Sequence, residues 1–205
     1  MSDQDPSPQP PPPSLLARFL APDSPWPRYA PLAVLFMVIA LLAMGRTWWC
    51  KCGGAAPWTL DMQSRHGSQH VVDVYSFTHT LHGFVFYALL ALVLPRAAPR
   101  VRLGLAIILE ASWELLENSS WIIEKYRAET ISLDYFGDSI ANSLGDVACC
   151  TLGFLIARRL PVKASIAVFV GVELLLLALI RDNLTLNVLM LTFPLEAVKH
   201  WQRGG

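Results

Sequence analysis

Long apolar runs dominate the chain, and most are close to the length of a membrane-spanning helix. Such a helix needs about 20 mostly apolar residues. Four or five runs qualify, and the predicted helices cover residues 29–45, 75–94, 101–123, 138–157 and 164–180. A further run, 184–198, is short and contains Pro194, so it is a sixth span, a half-helix or an interfacial helix. The pattern predicts an all-α fold, a polytopic transmembrane helix bundle of five or six helices.

The composition agrees with a membrane protein. Of the 205 residues, 54% are hydrophobic and 16% are charged, whereas soluble domains are about 45–50% apolar and about 25% charged. The formal net charge is zero and no basic arm is present, so nothing points to nucleic acid. We expect membrane lipid as the partner and no nucleic acid, and a homo-oligomer or a membrane-protein partner stays open.

The N-terminal segment is rich in proline. Ten of the fifteen prolines precede Leu32, and such a stretch cannot bury enough apolar surface to fold. We expect residues 1–27 to form a disordered cytoplasmic tail and residues 28–205 to form the transmembrane domain. No cleavable signal peptide is evident, because the first stretch lacks a basic region followed by a short apolar core.

Basic residues orient the predicted helices. With six spans and the N-terminus in the cytoplasm, the inner segments carry ten Lys and Arg residues and the outer segments carry six. The short connections at 95–102 and 158–163 are strongly basic, and both fall inside, as the positive-inside rule requires. We expect both termini to be cytoplasmic.

Nine polar side chains interrupt the predicted helices at matching depths. An ionisable group in hydrocarbon costs several kcal/mol unless it is paired or faces water, so their number indicates a function. They form stripes at helical spacing on three helices: His79 and His82; Glu110, Glu114 and Glu117, followed by Asn118; and Asp138, Asn142 and Asp146. In the expected orientation the stripes share the outer half of the bilayer, which predicts a polar cleft open toward the outer face.

The residue types in this cleft suit two kinds of chemistry. Imidazole and carboxylate groups on facing helices can hold a first-row metal, and the candidate ligands of a divalent metal are His79, His82 and Glu114. Without a metal, closely spaced carboxylates share protons, which suits acid–base chemistry. The candidate catalytic residues are His79, Glu114, Glu117 and Asp138. In the structural alternative, these groups only pair with one another and with Arg127 to hold the bundle together.

Four further side chains are candidates for binding. Arg127 and Arg181 follow helices at the expected mouth of the cleft, and Arg can grip phosphate or carboxylate with two hydrogen bonds. The alternative is that both arginines are solvated loop residues. Asn142 and Asp146 would complete the site.

The four cysteines fall into two pairs. Cys149 and Cys150 lie in an apolar run and are expected to act as packing residues. Cys50 and Cys52 lie in a Trp-Trp-Cys-Lys-Cys-Gly segment. A single C-x-C is weak evidence for a metal or redox site, so the redox state of this pair stays open.

Several long strings resemble an uncharacterised family of small multi-pass bacterial inner-membrane proteins, uncharacterised protein family 0314, which carries domain of unknown function 2585. The strings are WCKCG at 49–53, SQH at 68–70, YSFTHTLHGF at 75–84, WELLENS at 113–119, YRA at 126–128, LDYFGDS at 133–139 and IRDNLTLN at 180–187. The resemblance covers nearly everything after the N-terminal tail. It implies a multi-pass location in the inner membrane and implies no activity.

A shorter pattern is similar to the VanZ-like membrane proteins. It consists of His82, Glu114, Arg127 and the string DSIANSLG at 138–145. The chain departs from that pattern at Glu117, where Gln is common, and by the additional His79.

These observations predict a multi-pass membrane protein that binds or acts on a lipid headgroup or envelope precursor. Two alternatives remain open, a small proton- or ion-coupled transporter and a structural subunit that assembles a membrane complex. Carboxylates and histidines inside a bundle can form an ion pathway, but no internal repeat of the kind transporters show is visible.

Overall fold

The computed structural model describes residues 14–61, 64, 66–130 and 134–204. Within these residues the chain is helical, and an isolated bridge joins Trp58 and Val72. The helices are α1 (Leu15–Leu20), a 3-10 helix (Trp26–Tyr29), α2 (Ala30–Ala43), α3 (Ser76–Val93), α4 (Pro99–Glu117), α5 (Ser120–Glu129), α6 (Ile140–Arg159), α7 (Val162–Ile180), α8 (Leu184–Thr192) and α9 (Glu196–Gln202).

In the described part of the chain, four helical segments are long and apolar enough to cross a membrane. They are Trp26–Ala43, Ser76–Val93, Ile140–Arg159 and Val162–Ile180. Helix α4 has 19 residues, enough to span about 28 Å, but it carries three glutamates and two arginines. The predicted all-α fold class is confirmed, with four helices of spanning composition and a fifth of spanning length.

The predicted third helix is two helices in the structure. Helix α4 ends at Glu117, and α5 begins at Ser120. Between them Ser119 adopts an extended conformation, and its hydroxyl accepts a hydrogen bond from the backbone N–H of Ile122 at 3.4 Å. This is an N-cap, so the chain changes direction within the run 101–123.

The last apolar run is also divided, and its first part is a half-helix. Helix α8 has nine residues and is therefore about 14 Å long, too short to cross a bilayer. Its N-terminus is capped from α7, because the Glu173 carboxylate accepts from the N–H groups of Leu184 at 3.0 Å and Thr185 at 3.1 Å. Negative charge at a helix N-terminus is stabilising, which gives Glu173 a structural role.

Helices α3 and α6 run parallel and side by side. Ser76 at the start of α3 donates to Asp146 in the first half of α6, and further along Tyr87 lies edge-on against Phe154, with 5.3 Å between ring centroids. A Cβ atom on Gly83 would lie 2.1 Å from the Cys150 carbonyl oxygen. Glycine is therefore required for this close approach.

Helices α2 and α4 run antiparallel to that pair. His79, at the start of α3, lies beside Glu114 near the end of α4, while Leu90 packs against Ala106 at the other end. After α2, the Arg46 guanidinium donates to the Asn118 carbonyl oxygen at 2.9 Å. The starts of α3 and α6 and the ends of α2 and α4 therefore meet at one end of the bundle, here called the site end.

Residues 1–13 of the expected N-terminal tail lie outside the described residues. Residues 14–27 include α1 and the beginning of the 3-10 helix. Ser24 is buried, and Arg100 at the start of α4 donates to its carbonyl oxygen at 3.0 Å. Around Ser24 this segment therefore packs against α4.

Candidate functional site

His79 is buried among three carboxylates at the site end. Its Nδ1 lies 2.6 Å from Glu110 Oε1 and 3.4 Å from Glu114 Oε1, and its Nε2 lies 3.9 Å from Asp146 Oδ2. Glu110 and Glu114 are four residues apart on α4 and so share one face. The predicted stripes of three helices do meet, and they meet around this imidazole.

Glu110 joins the two histidines. His82, one turn after His79, has its Nδ1 3.0 Å from Glu110 Oε2, and the Glu110 side chain is fully buried. Glu110 was part of the predicted stripe, but the sequence reasoning gave it no role. Its position four residues before Glu114 was the signal that could have assigned one.

Two glutamates of α4 carry oxygen atoms that no described residue satisfies. Both carboxylate oxygens of Glu114 and Oε2 of Glu117 are buried without a hydrogen-bond partner in the described part of the chain. The other Glu117 oxygen accepts from the Tyr126 hydroxyl at 2.9 Å. Burying a polar group without a partner costs free energy. These oxygens are therefore available to a cation, a proton or a donor group.

Asn118 and Asp138 are bonded to each other at the edge of the site. The Asn118 side chain donates to Asp138 Oδ2 at 2.7 Å and accepts from the Asp138 backbone N–H at 2.8 Å. The Tyr135 hydroxyl donates to the Asp138 carboxylate at 3.0 Å. Tyr126 and Tyr135 lie in strings that carry the family resemblance, but neither was assigned a role because both fall outside the polar stripes of the predicted helices.

Asn142 and Asp146 lie on the α6 side of the site. The Asp146 carboxylate accepts from the Ser76 hydroxyl at 2.9 Å. Asn142 donates through its side-chain amide to the His70 carbonyl oxygen at 2.9 Å. Asn142 therefore holds the connection between α2 and α3 onto the start of α6, in addition to facing the cavity.

A cavity of about 660 Å³ opens beside these residues, within the range of about 300–1,000 Å³ typical of ligand pockets. One part of its wall is polar, formed by Asp73, His79, His82, Glu117, Tyr126, Tyr135, Asp138, Asn142 and Asp146. The remainder is mostly apolar and includes Val85, Phe86, Leu109, Trp113, Leu116, Trp121, Ile122, Leu184, Val188 and Leu191. Leu116, Trp121 and Val188 are also exposed on the surface of the bundle, so the cavity reaches the exterior between helices.

The candidate catalytic residues differ in their access to this cavity. His79, Glu117 and Asp138 line it, whereas Glu114 does not. Glu114 and Glu110 lie behind His79 and contact its ring. Any chemistry by Glu114 on a molecule in the cavity would therefore pass through the His79 imidazole.

Two groups of these side chains are spaced so that they could hold a metal ion. They are His79, His82 and Glu110, and His79, Glu114 and Glu117, with the ligand atoms of each group within 4.8 Å of one another. The predicted set of His79, His82 and Glu114 is divided between these two groups. Imidazole and carboxylate ligands suit first-row divalent metals.

The structure does not bring Arg127 or Arg181 into the cavity. Arg127 is exposed on α5 and donates to the Tyr135 carbonyl oxygen. Arg181 takes a left-handed conformation at the end of α7, and its guanidinium donates to the Trp201 carbonyl oxygen at 3.2 Å. Neither guanidinium is among the lining groups.

Asp182, directly after α7, is the centre of a separate hydrogen-bond cluster. Its carboxylate accepts from the Tyr75 hydroxyl and from the side-chain amides of Asn187 and Gln202. Burial raises the pKa of Asp182 from 3.8 to about 6, and these hydrogen bonds, with that of the Asn183 backbone, partly offset the rise. The cluster connects the starts of α3 and α8 with the end of α9.

Fold and site together define a class, an α-helical bundle with helices that fit a membrane and a buried cluster of imidazole and carboxylate groups. The comparison with protein families then identifies the family to which the chain belongs. A family described as "Protein of unknown function (DUF2585)" matches residues 41–204. The chain belongs to this family, as the sequence strings predicted.

Relatives named "UPF0314 protein" occur in several bacteria. The protein of Paracoccus denitrificans is 50% identical over 180 residues, which cover 85% of this chain and 93% of the relative. The protein of Brucella anthropi is 46% identical over 176 residues, covering 82% and 89%. That of Rhizobium meliloti is 50% identical over 161 residues, covering 78% and 82%. No solved structure matches the chain significantly.

Proposed function

We propose that this chain is a multi-pass protein of the bacterial inner membrane that binds the polar headgroup of a lipid-type molecule in the cavity at the site end. The observation that carries the proposal is the division of the cavity wall. Carboxylate, imidazole and phenol groups form one part, and apolar side chains, some of which reach the surface, form most of the rest. An amphipathic molecule matches both parts.

The charges in and behind the wall favour one kind of headgroup. Five carboxylates, those of Glu110, Glu114, Glu117, Asp138 and Asp146, surround two imidazoles, and both arginines lie elsewhere. Carboxylates accept hydrogen bonds and attract cations. We therefore expect a headgroup that presents ammonium or hydroxyl donors, or a phosphate that enters with a divalent cation.

Two features support the proposed orientation, with the N-terminus in the cytoplasm. The connections between α3 and α4 and between α6 and α7 lie at the end of the bundle opposite the site end. Both are flanked by basic residues, among them Arg96, Arg100, Arg158, Arg159 and Lys163. Basic connections of this length favour the cytoplasmic side, which supports a cavity in the outer half of the bilayer.

The test is an analysis of lipid that copurifies with the protein in a mild detergent. We expect one headgroup class to be enriched relative to the whole membrane extract. Glu117→Gln changes the polar wall, and Val188→Trp fills the apolar wall without touching a carboxylate. Both should lose the enrichment by several-fold, whereas Glu124→Gln, an exposed glutamate on α5, should keep it. The proposal would be refuted if the copurified lipid had the same headgroup composition as the membrane extract in the wild type and in all three variants.

One observation favours a proton or ion pathway as a second candidate. Glu110 and Glu114 continue the line of titratable groups from the cavity wall into the interior, beyond His79. Buried chains of this kind serve as proton relays. Proton flux into proteoliposomes that is lost in His79→Ala would support a carrier and would stand against simple headgroup binding.

A further inference from the structure

Two cysteines and two histidines meet in the connection between α2 and α3, outside the helices. Cys50 Sγ lies 3.3 Å from His66 Nδ1, and Cys52 Sγ lies 3.9 Å from His70 Nε2. One ligand atom from each of the four residues lies within 4.8 Å of the other three. We propose that these side chains form a tetrahedral zinc site that holds the connection in place.

The spacing of the four atoms fits the dimensions of such a site. Zinc binds sulfur at about 2.3 Å and imidazole nitrogen at about 2.0–2.1 Å, so neighbouring ligand atoms of a tetrahedron lie about 3.4–3.8 Å apart. The observed distances, 3.3 and 3.9 Å for two sulfur–nitrogen pairs and at most 4.8 Å for any pair, need only a small contraction. Two cysteines with two histidines are an established ligand set for structural zinc.

The His70 ring is already oriented as a metal ligand. Its Nδ1 lies 2.6 Å from the Ala56 carbonyl oxygen, and only a protonated Nδ1 can donate there. The proton is then absent from Nε2 in the neutral ring, and Nε2 is the atom that faces Cys52 Sγ. A hydrogen bond from the second ring nitrogen to a carbonyl is the usual support of a metal-bound histidine. The Trp49 ring lies edge-on against His70 at 5.4 Å.

Backbone N–H groups are directed at both sulfurs. The N–H of Cys52 donates to Cys50 Sγ, and the N–H of Gly54 donates to Cys52 Sγ, each at 3.4 Å. Both thiols are free of disulfide bonds. Zinc is bound by thiolate, so binding of one Zn²⁺ ion releases the two thiol protons to solvent and leaves the histidines neutral. No electron is transferred.

The effect expected of the zinc ion is structural. Four protein ligands leave no open coordination position, which is the mark of a structural site rather than a catalytic one. The described residues of the connection between α2 and α3 contain no helix, yet they pack on the start of α6. There Asn142 donates to the His70 carbonyl oxygen, and Gln69 donates to that of Gly137 at 2.9 Å. The ion would fix His70, and with it this contact beside the cavity.

The test uses the full chain, purified in detergent under reducing conditions, with zinc and cobalt as probes. We expect about one equivalent of zinc by elemental analysis. Replacement by Co²⁺ should give thiolate-to-cobalt charge-transfer absorption. The double variant Cys50→Ser with Cys52→Ser should lose the absorption and the zinc. The matched control is Cys149→Ser, which removes a thiol from α6 and should keep both.

Alkylation of the wild-type protein tests the site without a substitution. Zinc should protect Cys50 and Cys52 from iodoacetamide, and a chelator should expose both, as read by mass spectrometry. A zinc content that is unchanged in the double variant and falls in Glu114→Gln would assign the metal to the helical site and overturn this proposal. Absence of both cobalt charge transfer and zinc protection would also overturn it. Neither result would affect the lipid proposal, which has its own readout.

Discussion

At the scale of single residues, Asn118 joins three parts of the site end. Its side-chain amide donates to the Glu114 carbonyl oxygen at 3.0 Å and to the Asp138 carboxylate, and its side-chain oxygen accepts from the Asp138 backbone. Arg46 donates to its main-chain oxygen. The residue is fully buried, so the three bonds of its side chain are shielded from water.

Asn118→Ala should therefore destabilise the fold. The substitution leaves the Asp138 N–H and carboxylate each short of one partner, and each unsatisfied buried group costs about 1–3 kcal/mol. The expected loss in free energy of unfolding is about 2–4 kcal/mol, measured by thermal or denaturant unfolding in detergent. Ser112→Ala, an exposed hydroxyl on α4 that bonds only to the Ile108 carbonyl, is the control and should be nearly neutral. Equal stability of the two variants would contradict the role assigned to Asn118.

Asp182 predicts a pH dependence of stability. Its pKa is raised from 3.8 to about 6 by burial, so the folded protein binds this proton more tightly than the unfolded chain does. The stabilisation is fully present below about pH 4 and is lost as the pH rises through about 6. A shift of about two units corresponds to about 3 kcal/mol.

The measurement compares unfolding of the wild type and Asp182→Asn between pH 4 and pH 8. Because the variant has no titrating group at this position, the difference in stability between the two proteins should shift by about 3 kcal/mol over this range, with the wild type losing stability as the pH rises. Parallel curves would show that Asp182 titrates normally in the folded protein.

At the scale of helices, the close approach of α3 and α6 places His79 and Asp146 in one site. The approach depends on small residues, since a Cβ atom on Gly83 would lie 2.1 Å from the Cys150 carbonyl oxygen, and one on Gly153 would lie 1.9 Å from that of Thr80. Small residues at such interfaces let helix backbones come together in lipid.

Gly83→Ala should force the two helices apart. Overpacking against backbone costs about 1–3 kcal/mol, and sometimes more, so we expect a lower unfolding temperature. Gly171→Ala on α7 is the matched control, because nothing lies within 4 Å of its Cβ position and alanine is the better helix former by about 1 kcal/mol. If both variants unfold at the same temperature, α3 and α6 are not packed as closely as the structure has them.

The positions of the helices could be predicted because a long apolar run is recognised from the local composition of the sequence alone. The second predicted helix, 75–94, corresponds to α3, which covers Ser76–Val93 in the structure. The break after Glu117 was not predictable, because it depends on Asn118 bonding to Asp138, twenty residues further along. The stripes indicated which polar residues share a helix face, but not that Glu114 would lie behind His79 rather than on the cavity wall.

Loop residues were the hardest to assign from sequence. Arg181 was expected at the mouth of the cleft, but its left-handed backbone turns the guanidinium toward Trp201. The partners of Cys50 and Cys52 are histidines 16 and 18 residues away. Thirteen residues separate Cys52 from His66 and three separate the two histidines, which is the spacing of a common zinc motif except that the cysteines are one residue apart instead of two. The pairing became evident from the path of the chain through space.

At the scale of the whole molecule, the surface of α7 has the composition expected of a helix in contact with lipid. Glu173 and Leu176 are its buried residues, while its outward side chains are large and apolar, with Leu179 exposed by 69%. In water such a face would be a large apolar patch of the kind that marks a membrane or protein contact. The polar groups are gathered inside, at the site end.

The half-helix α8 changes the expected topology at the C-terminus. Both termini were expected in the cytoplasm, on the basis of six spans. If α2, α3, α4, α6 and α7 each cross the membrane, they make five passes, and Gln202 donates to the Arg181 carbonyl oxygen at the site end. In the proposed orientation the C-terminus then lies on the side opposite the N-terminus, and we predict that it is periplasmic.

Two of the ten basic residues counted as cytoplasmic, Lys199 and Arg203, change sides in this arrangement. The overall count then shows no bias, and the short connections beside Arg96 and Arg158 alone determine the orientation. Long-range charge counts matter less than charges close to the helix ends. The prediction therefore depends on the chain after α7 staying on one side of the membrane, which reporter fusions can test.

A C-terminal alkaline phosphatase fusion should be active and a C-terminal green fluorescent protein fusion should be dark, because each reporter works on one side of the inner membrane only. The same reporters placed after Ala97, in the connection between α3 and α4, are the control and should behave in the opposite way. A fluorescent C-terminus with a fluorescent Ala97 fusion would mean that the chain after α7 returns across the bilayer. If all four fusions give the opposite of the expected result, the whole bundle is inverted and the cavity faces the cytoplasm.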